Sequence, residues 1–191
     1  MKKSKTRIFI NKEISANLLI YIKSKQHHFL KNVLRVNIDE EVNIFDGISG
    51  EWKSTIISIN RDTIVLKVKK NIKKMKFAND FWLIFAPIKQ QRMSLAIQKA
   101  TELGVSKIVP CITEFTNVRK VNIKNLKDNA IEAAEQSERL DIPIIEKEIK
   151  LDELFANWPK NRKIIYCDEK NLKGTLINDS LIKYKDTDNK W

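Results

Sequence analysis

The chain has 191 residues, 42% of them hydrophobic, with only four Gly and four Pro. This length can bury a sizeable core in one large domain or two small ones, and the composition excludes a largely disordered protein. The net charge of +12 makes nucleic acid a candidate partner, because Lys and Arg that neutralise phosphates release condensed counterions.

The distribution of charge separates a functional explanation from a compositional one. Only seven of the 36 cationic residues are Arg, and an A+T-rich genome would produce such a Lys-rich chain whatever its function. However, residues 1–77 hold 17 Lys and Arg against 7 Asp and Glu, whereas residues 78–191 hold 19 against 17. A codon bias should spread evenly, so the sequence indicates that the N-terminal part is the basic one.

No targeting segment or disulfide pattern is visible. The start, MKKSKTRIFINKE, has no apolar segment of signal-peptide length, and no window is long enough to span a membrane, so a cytoplasmic protein is predicted. Cys111 and Cys167 lie far apart without CxxC spacing, which favours reduced, buried thiols.

The two histidines, His27 and His28, are adjacent, and no acidic or thiol partner lies at ligand spacing. Neighbouring residues on a helix point about 100° apart, so no metal site is predicted. Either one imidazole is an interior side chain with a hydrogen-bond partner, or the pair faces RNA beside Lys31 and Arg35.

Residues 1–75 read as short strands with many β-branched residues, separated by turn signals at Asp46-Gly47 and Ser49-Gly50. Helical spacing occurs only over residues 14–36. The predicted strands are RIFINK, EEVNIFD, EWKSTIISIN and DTIVLKVKK. Together they predict a small β-barrel of a shape that often presents a basic face to RNA, followed by a linker, NIKKMKFAND.

From residue 78 onward, strands and helices alternate, which predicts a parallel sheet with right-handed crossovers. FWLIFAP reads as a strand buried on both faces. The next elements predicted are a helix over 90–103 ended by Gly104, a strand SKIVPCI, a helix over 123–139 capped by Asn122, a strand PIIEKEI, a helix LDELFANW and a strand RKIIYCD.

Ligands in such sheets bind beyond the carboxyl ends of the strands, here near residues 87–89, 112–114 and 168–170. No Gly-rich phosphate loop is present.

The second helix of this half carries IEAAEQSER, residues 131–139. Ala130, Ala133, Ala134 and Ser137 form a small-residue face that lets another backbone approach closely. Glu132, Glu135, Gln136 and Arg139 share another face, with Glu135 and Arg139 at i,i+4 spacing. The simpler alternative is a solvated helix whose pairs contribute about 0.3–0.5 kcal/mol. Lys99 and Glu102, at i,i+3 in the preceding helix, likewise suit a surface ion pair.

Several segments together resemble a known family. RIFI, HHFLKNVLRV, NIFDG, IQKATELGVSKIVP and IEAAEQSER occur in an order and at separations similar to those of the bacterial 16S rRNA uracil-N3 methyltransferases of the RsmE type, in the SPOUT class. The resemblance covers residues 7–143, and KATELGV with EAAEQS is a specific combination. It implies an α/β fold with an N-terminal β-barrel: a PUA-like RNA-binding barrel over 1–75, then an incomplete SPOUT (trefoil-knot) parallel-sheet domain over 78–191.

The same resemblance implies the activity. Members use S-adenosylmethionine, and no metal, to methylate N3 of a uridine in 16S rRNA of the small ribosomal subunit, as homodimers. Arg139 is then the expected cation that stabilises charge growing on the uracil oxygens, with Glu135 orienting it. The barrel is expected to bind RNA through Arg7, His28, Lys31 and Arg35. No cofactor-binding residues can be assigned.

The sequence also departs from the family pattern. The GPEGG and LGxxILRxET segments that hold the cofactor and form the knot are absent, so this chain alone is expected to bind S-adenosylmethionine weakly, to dimerise poorly and to expose apolar surface. A non-catalytic RNA-binding remnant is therefore the alternative function. Glu138 stands where the family usually has Gly, Phe115 where it usually has Arg, and Gln90 where it usually has Gly.

Overall fold

A computed structural model describes residues 6–118 and 120–167, together with residue 179. Its N-terminal half is a five-stranded sheet. The strands are β1 (Arg7–Phe9), β2 (Leu19–Ile22), β3 (Glu41–Phe45), β4 (Glu51–Ile59) and β5 (Ile64–Lys73). Their order in the sheet is β1-β3-β4-β5-β2. β1 runs parallel to β3, and the other neighbours are antiparallel.

Alternating β-branched residues produce this sheet. In β5, Ile64, Leu66 and Val68 are fully buried at alternate positions, and Ile44 and Ile56 on the neighbouring strands join the same core. Side chains of a strand point alternately to its two faces, so this spacing directs one face inward and leaves the other to polar residues. The predicted strands of the basic half are confirmed.

The expectation of helical spacing over residues 14–36 was wrong at its start. Leu19–Ile22 is a strand that pairs with β5, and only α1 (Ser24–His28) and the π-helix Phe29–Val33 are helical. Asn17 and Ser24 adopt left-handed backbone conformations, which interrupt a continuous helix. Ile20 and Ile22 are buried at period two, a spacing that the longer apolar pattern concealed.

The second half contains a parallel sheet and its helices. The elements are β6 (Trp82–Phe85), α2 (Gln90–Glu102), β7 (Lys107–Ile112), α3 (Ile123–Ser137), β8 (Ile144–Ile145), β9 (Ile149–Lys150) and α4 (Leu151–Ala156). The strand order is β6-β7-β8, and β9 pairs with the far end of β7. This confirms the predicted parallel strands and their crossover helices.

Helix ends follow the local chemistry. Gly104, at φ 89°, ends α2 as predicted, and the Asn122 side chain accepts a hydrogen bond from the Asn125 amide at the start of α3. α3 stops at Ser137 rather than Arg139, because Glu138 turns the backbone into the left-handed region at φ 59°.

Three predicted strands differ from the structure. PIIEKEI divides into β8 and β9, which pair with opposite ends of β7. β6 is half-buried, since it lies at the edge of the described sheet. Residues 162–167 of RKIIYCD form no strand. The Arg162 guanidinium instead donates to the Asp80 carbonyl and lies 3.7 Å from the centre of the Trp82 ring. The last residue of that segment, Asp168, lies outside the described residues.

The core of the second half lies between the sheet and its two long helices. Met93, Ile97 and Ala100 of α2 are buried as predicted, and so are Ala130 and Ala134 of α3. Small side chains on α3 let the two helices approach closely. Among the described residues, no helix is both long enough and apolar enough to cross a membrane.

Candidate nucleic-acid interface

A groove of about 1380 Å³ separates the two halves of the protein. We call it the interdomain groove. One wall is formed by β1, β2, α1 and the segment that joins β1 to β2; the other is formed by α3 and by residues 142–145. Its charged and aromatic lining residues are Phe9, Lys12, Tyr21, Lys23, Lys25, Phe29, Lys124, Lys127, Asp128, Glu132 and Glu135.

The lining combines positive charge with exposed aromatic rings. Lysines come from both walls, and one of them, Lys25, lies 3.8 Å from Asp128 across the groove. Tyr21 is 60% exposed, because the outward face of β2 looks into this space. The three acidic lining residues, Asp128, Glu132 and Glu135, all lie on the α3 wall, so the opposite wall is the cationic one. Lysines bind a phosphate backbone and aromatic rings stack on unpaired bases, so that wall suits single-stranded RNA.

Glu135 joins the two walls. Its Oε1 accepts a hydrogen bond of 2.8 Å from the Phe9 amide of β1. Burial raises the pKa of the Glu135 carboxyl, and nearby Glu132 raises it further, although the Phe9 amide and the charge of Arg7 act in the opposite direction. Glu135 is therefore a partly buried acid that stays protonated to a higher pH than an ordinary glutamate.

Arg7 occupies a different place from the one the sequence suggested. Its guanidinium donates hydrogen bonds to the carbonyls of Ala134 (2.8 Å) and Glu135 (3.2 Å) in the last turn of α3 and to that of Arg139 (3.1 Å) just beyond it. It also lies 3.3 Å from Glu51, and its side chain is 8% exposed. A cation at a helix C-terminus offsets the negative end of the helix dipole. In this structure Arg7 connects the two halves of the protein, and its direct contact with RNA stays a prediction.

Arg139 also makes contacts that its spacing did not indicate. Because α3 ends at Ser137, Glu135 and Arg139 are not one turn apart on a helix, and the predicted pairing between them is wrong. The Arg139 guanidinium instead binds both carboxylate oxygens of Asp141, at 2.8 and 2.9 Å, and donates to the Thr101 carbonyl. Its role as a catalytic cation stays a prediction, and it would require Arg139 to leave Asp141.

The pKa of Asp141 reflects this pairing. Burial alone would raise it, but the hydrogen bonds and the charge of Arg139 more than offset that effect and hold the pKa below its usual value. Thr101 belongs to the KATELGV segment and Arg139 to the EAAEQSER segment. Their hydrogen bond connects the two segments, because Arg139 binds a carbonyl at the C-terminus of α2.

The remaining predicted RNA-binding residues lie on and just after α1. His28 and Arg35 are exposed, and the Lys31 ammonium donates to the Asn60 carbonyl at 2.9 Å. His27 is buried with its Nε2 3.3 Å from the same carbonyl, so one histidine is an interior imidazole. Contact of His28, Lys31 and Arg35 with RNA stays a prediction.

The carboxyl edge of the parallel sheet carries less chemistry. After β7, the hydroxyls of Thr113 and Thr116 lie 2.9 Å apart, while Phe115 is 86% exposed. The third predicted end, residues 168–170, lies outside the described residues. Within the described ranges, no three His, Cys, Asp or Glu side chains cluster as metal ligands would. Lys99 and Glu102 form an exposed ion pair at 2.7 Å, as the simpler alternative predicted.

Comparison with known protein families decides the classification. A family model described as an RNA methyltransferase domain matches residues 75–188, and one described as an RNA methyltransferase PUA domain matches residues 22–69. The chain belongs to the RNA methyltransferase family. The fold class predicted from the sequence, a PUA-like domain followed by a parallel-sheet methyltransferase domain, is confirmed.

Curated relatives carry the name "Ribosomal RNA small subunit methyltransferase E". The protein of that name from Rickettsia conorii is 38% identical over 164 residues, which are 85% of this chain and 66% of the relative. That from Buchnera aphidicola of Schizaphis graminum is 31% identical over 170 residues, or 84% and 66% of the two chains. This family member thus spans about two thirds of the length of these relatives.

Solved structures show the same fold. A methyltransferase from Legionella pneumophila, in complex with S-adenosylmethionine, has a TM-score of 0.76 at 23% identity and covers 83% of this chain and 69% of its own. The small subunit methyltransferase E from Neisseria gonorrhoeae, also bound to S-adenosylmethionine, has a TM-score of 0.76 at 22% identity, covering 88% and 74%.

The sequence had not indicated the interdomain groove. Its lysines, such as Lys12 and Lys127, are more than a hundred residues apart and sit on elements of different type. The one local signal was the alternation of exposed and buried positions in LIYI. If this segment is assigned to a strand, Leu19 and Tyr21 lie on the face opposite the buried Ile20 and Ile22.

Proposed function

We propose that this protein methylates N3 of a uridine in 16S rRNA of the small ribosomal subunit, in the cytoplasm, with S-adenosylmethionine as the methyl donor. The observation that carries the proposal is the interdomain groove, a space lined by five lysines and exposed aromatic rings between a PUA-like domain and a methyltransferase domain. The names of the curated relatives support the choice of small-subunit rRNA.

The chemistry sets what the groove has to do. The Watson–Crick edge of uracil carries N3, so the target base must be unpaired or rotated out of a helix before N3 can react. Tyr21 and Phe29 offer rings for stacking, and the lysines neutralise phosphates on either side. The N3 proton must leave as the methyl group arrives, and Glu135, in the groove with a raised pKa, is a candidate to receive it.

Arg139 is proposed to stabilise the negative charge that develops on the uracil oxygens as this proton leaves. In the structure its guanidinium is held by Asp141. A buried pair of this kind keeps the cation charged and oriented, and the approach of a second anion would have to compete with Asp141 for it.

S-adenosylmethionine supplies an electrophilic methyl group when it is bound. At the carboxyl edge of the sheet, Ile88 and Phe115 leave much of their apolar surface exposed, so the described loops there do not enclose a cofactor. The proposal of this cofactor is supported by the family and by the two neighbouring structures bound to it.

The test is to express the chain in a bacterium that lacks its own small subunit methyltransferase E and to analyse 16S rRNA by mass spectrometry and primer extension. An N3-methyl group blocks the Watson–Crick edge, so a new stop at one uridine together with a methyluridine mass supports the proposal. Unmodified rRNA that still co-purifies with the chain would support the alternative, a non-catalytic RNA-binding protein. Unmodified rRNA without binding would overturn both.

A further inference from the structure

We propose that Lys73 and Glu138 form a salt-sensitive contact that sets how closely the five-stranded sheet approaches α3, and thereby the geometry of the interdomain groove. These are positioning residues. Only the consequence for RNA depends on the proposed function; the contact and its effect on the junction between the domains do not.

The contact connects the two halves of the protein, with one residue at the end of a strand in the first half and the other at the end of a helix in the second. Lys73 is the last residue of β5, and Glu138 directly follows α3. The Lys73 ammonium lies 2.7 Å from Glu138 Oε2 and 3.4 Å from Glu51 Oε2. Glu51 is 1% exposed and also faces Arg7. Arg7, Glu51, Lys73 and Glu138 form what we call the interdomain ion cluster.

The backbone around Lys73 is fixed by close packing. Gly50 precedes β4 at φ 96°, and a Cβ at this position would lie 2.2 Å from the Lys73 carbonyl oxygen. Only glycine allows β5 to approach this turn so closely, so the ammonium extends from a defined point of the sheet. The hydrogen bond to Glu138 raises the pKa of Lys73 despite partial burial, in agreement with the ion pair.

Glu138 stands at a position that suits a different residue. At φ 59°, it adopts the left-handed conformation that usually follows a helix as glycine, and a side chain there is disfavoured. Glutamate at this position has a less favourable backbone conformation than glycine would, but its carboxylate reaches Lys73. Replacing Glu138 with glycine should therefore have two separable effects. It should relieve the strain of the left-handed backbone conformation, and it should remove the contact between the domains.

The two ends of the cluster respond differently to salt. Arg7 and Glu51 are buried, whereas the side chains of Lys73 and Glu138 are 45% and 68% exposed. Ions screen exposed pairs much more than buried ones. The Arg7 end should hold the junction at any ionic strength, and the Lys73–Glu138 end should weaken as salt rises, so that the groove opens more often.

The Phe9 amide reports this opening directly, since its hydrogen bond to Glu135 crosses the junction. Native-state hydrogen exchange at Phe9, without RNA, should become about twofold to fivefold faster in both Lys73→Met and Glu138→Gln, as expected for loss of an exposed pair. Lys73→Met also removes the neighbour of Glu51 at 3.4 Å, so the double variant should exchange no faster than Lys73→Met alone. High salt should remove the difference from the unmodified protein. Lys69→Met, an exposed lysine of the same strand, is the matched control and should change nothing.

Glu138→Gly distinguishes positioning from general stability. We expect faster exchange at Phe9 together with unchanged or increased resistance to urea, a combination that simple destabilisation cannot produce. Unchanged exchange at Phe9 in Lys73→Met and Glu138→Gln, or effects that add in the double variant, would overturn the proposal. Neither outcome depends on whether the protein methylates RNA.

Discussion

Replacing Arg7 with Met should destabilise the whole protein, because this side chain supplies contacts that no neighbour can replace. The substitution removes the donors to three carbonyls at and just beyond the end of α3 and leaves Glu51 without its buried guanidinium partner. Met keeps much of the aliphatic volume beside the Phe45 ring, over which the guanidinium now lies at 4.2 Å. The loss is therefore one of charge and hydrogen bonds more than of packing.

The expected magnitude follows from the burial of Glu51. Removing one member of a buried ion pair costs about 3–5 kcal/mol, because an uncompensated charge remains. Glu51 keeps two polar neighbours, the Asn43 amide at 2.8 Å and the Lys73 ammonium at 3.4 Å, so the lower end of that range, about 3 kcal/mol, applies. A domain is stable by only about 5–15 kcal/mol in total.

Urea unfolding followed by tryptophan fluorescence provides the measurement, since Trp52 lies in the first sheet and Trp82 and Trp158 in the second half. Arg61→Met, at an exposed turn, is the matched control and should change stability by less than about 0.5 kcal/mol.

Adding Glu51→Gln to Arg7→Met should recover part of the loss, because the second change removes the uncompensated charge. A cost of Arg7→Met no larger than that of Arg61→Met would refute this role of Arg7. So would a Glu51→Gln change that is as harmful in the Arg7→Met background as in the unmodified protein.

Two further predictions concern the candidate site. Burial raises the pKa of Glu135, so the folded state loses stability as pH rises through that pKa. The Glu135→Gln variant should then be more stable than the unmodified protein at pH 7. The difference in stability should vanish below about pH 4.3, the ordinary Glu pKa. A difference in urea midpoint that does not vary with pH would contradict this. Arg139→Met should cost roughly 3 kcal/mol by leaving Asp141 without its cation, and Asp141→Asn should restore part of this loss, as calorimetry of the double variant can show. Additive losses would refute the pairing.

The sequence predicted best where the local pattern and the tertiary contact agree. The burial of Met93 and Ile97, the stop at Gly104 and the parallel strand after it all follow from spacing and backbone preference within one segment. The strand at Leu19–Ile22 was missed because its buried isoleucines also fit a longer helical pattern. Pairing with β5, which decides between the two, is a contact more than forty residues away.

The site residues were harder to predict for the same reason. Arg7 lies in a basic, strand-rich half and looked like an RNA contact, but its acceptors are carbonyls of α3, about 130 residues away. Arg139 fits an ion pair with Glu135 only if the helix continues, and the left-handed backbone of Glu138 stops it. Sequence spacing does not distinguish an arginine that connects domains from one that binds phosphate.

The most direct test of the account is whether RNA lies in the interdomain groove. Affinity for 16S rRNA should be measured over a series of salt concentrations for the unmodified chain, for the double variant Lys12→Ala/Lys127→Ala with one change in each wall, and for a control, Lys147→Ala/Lys150→Ala, outside the groove. Loss of two phosphate contacts should weaken binding and flatten the slope of log K against log salt by about 1.4 to 1.8, while the control keeps the full slope. Equal affinities and slopes for the groove variant and the unmodified chain would contradict the assignment of this groove to RNA.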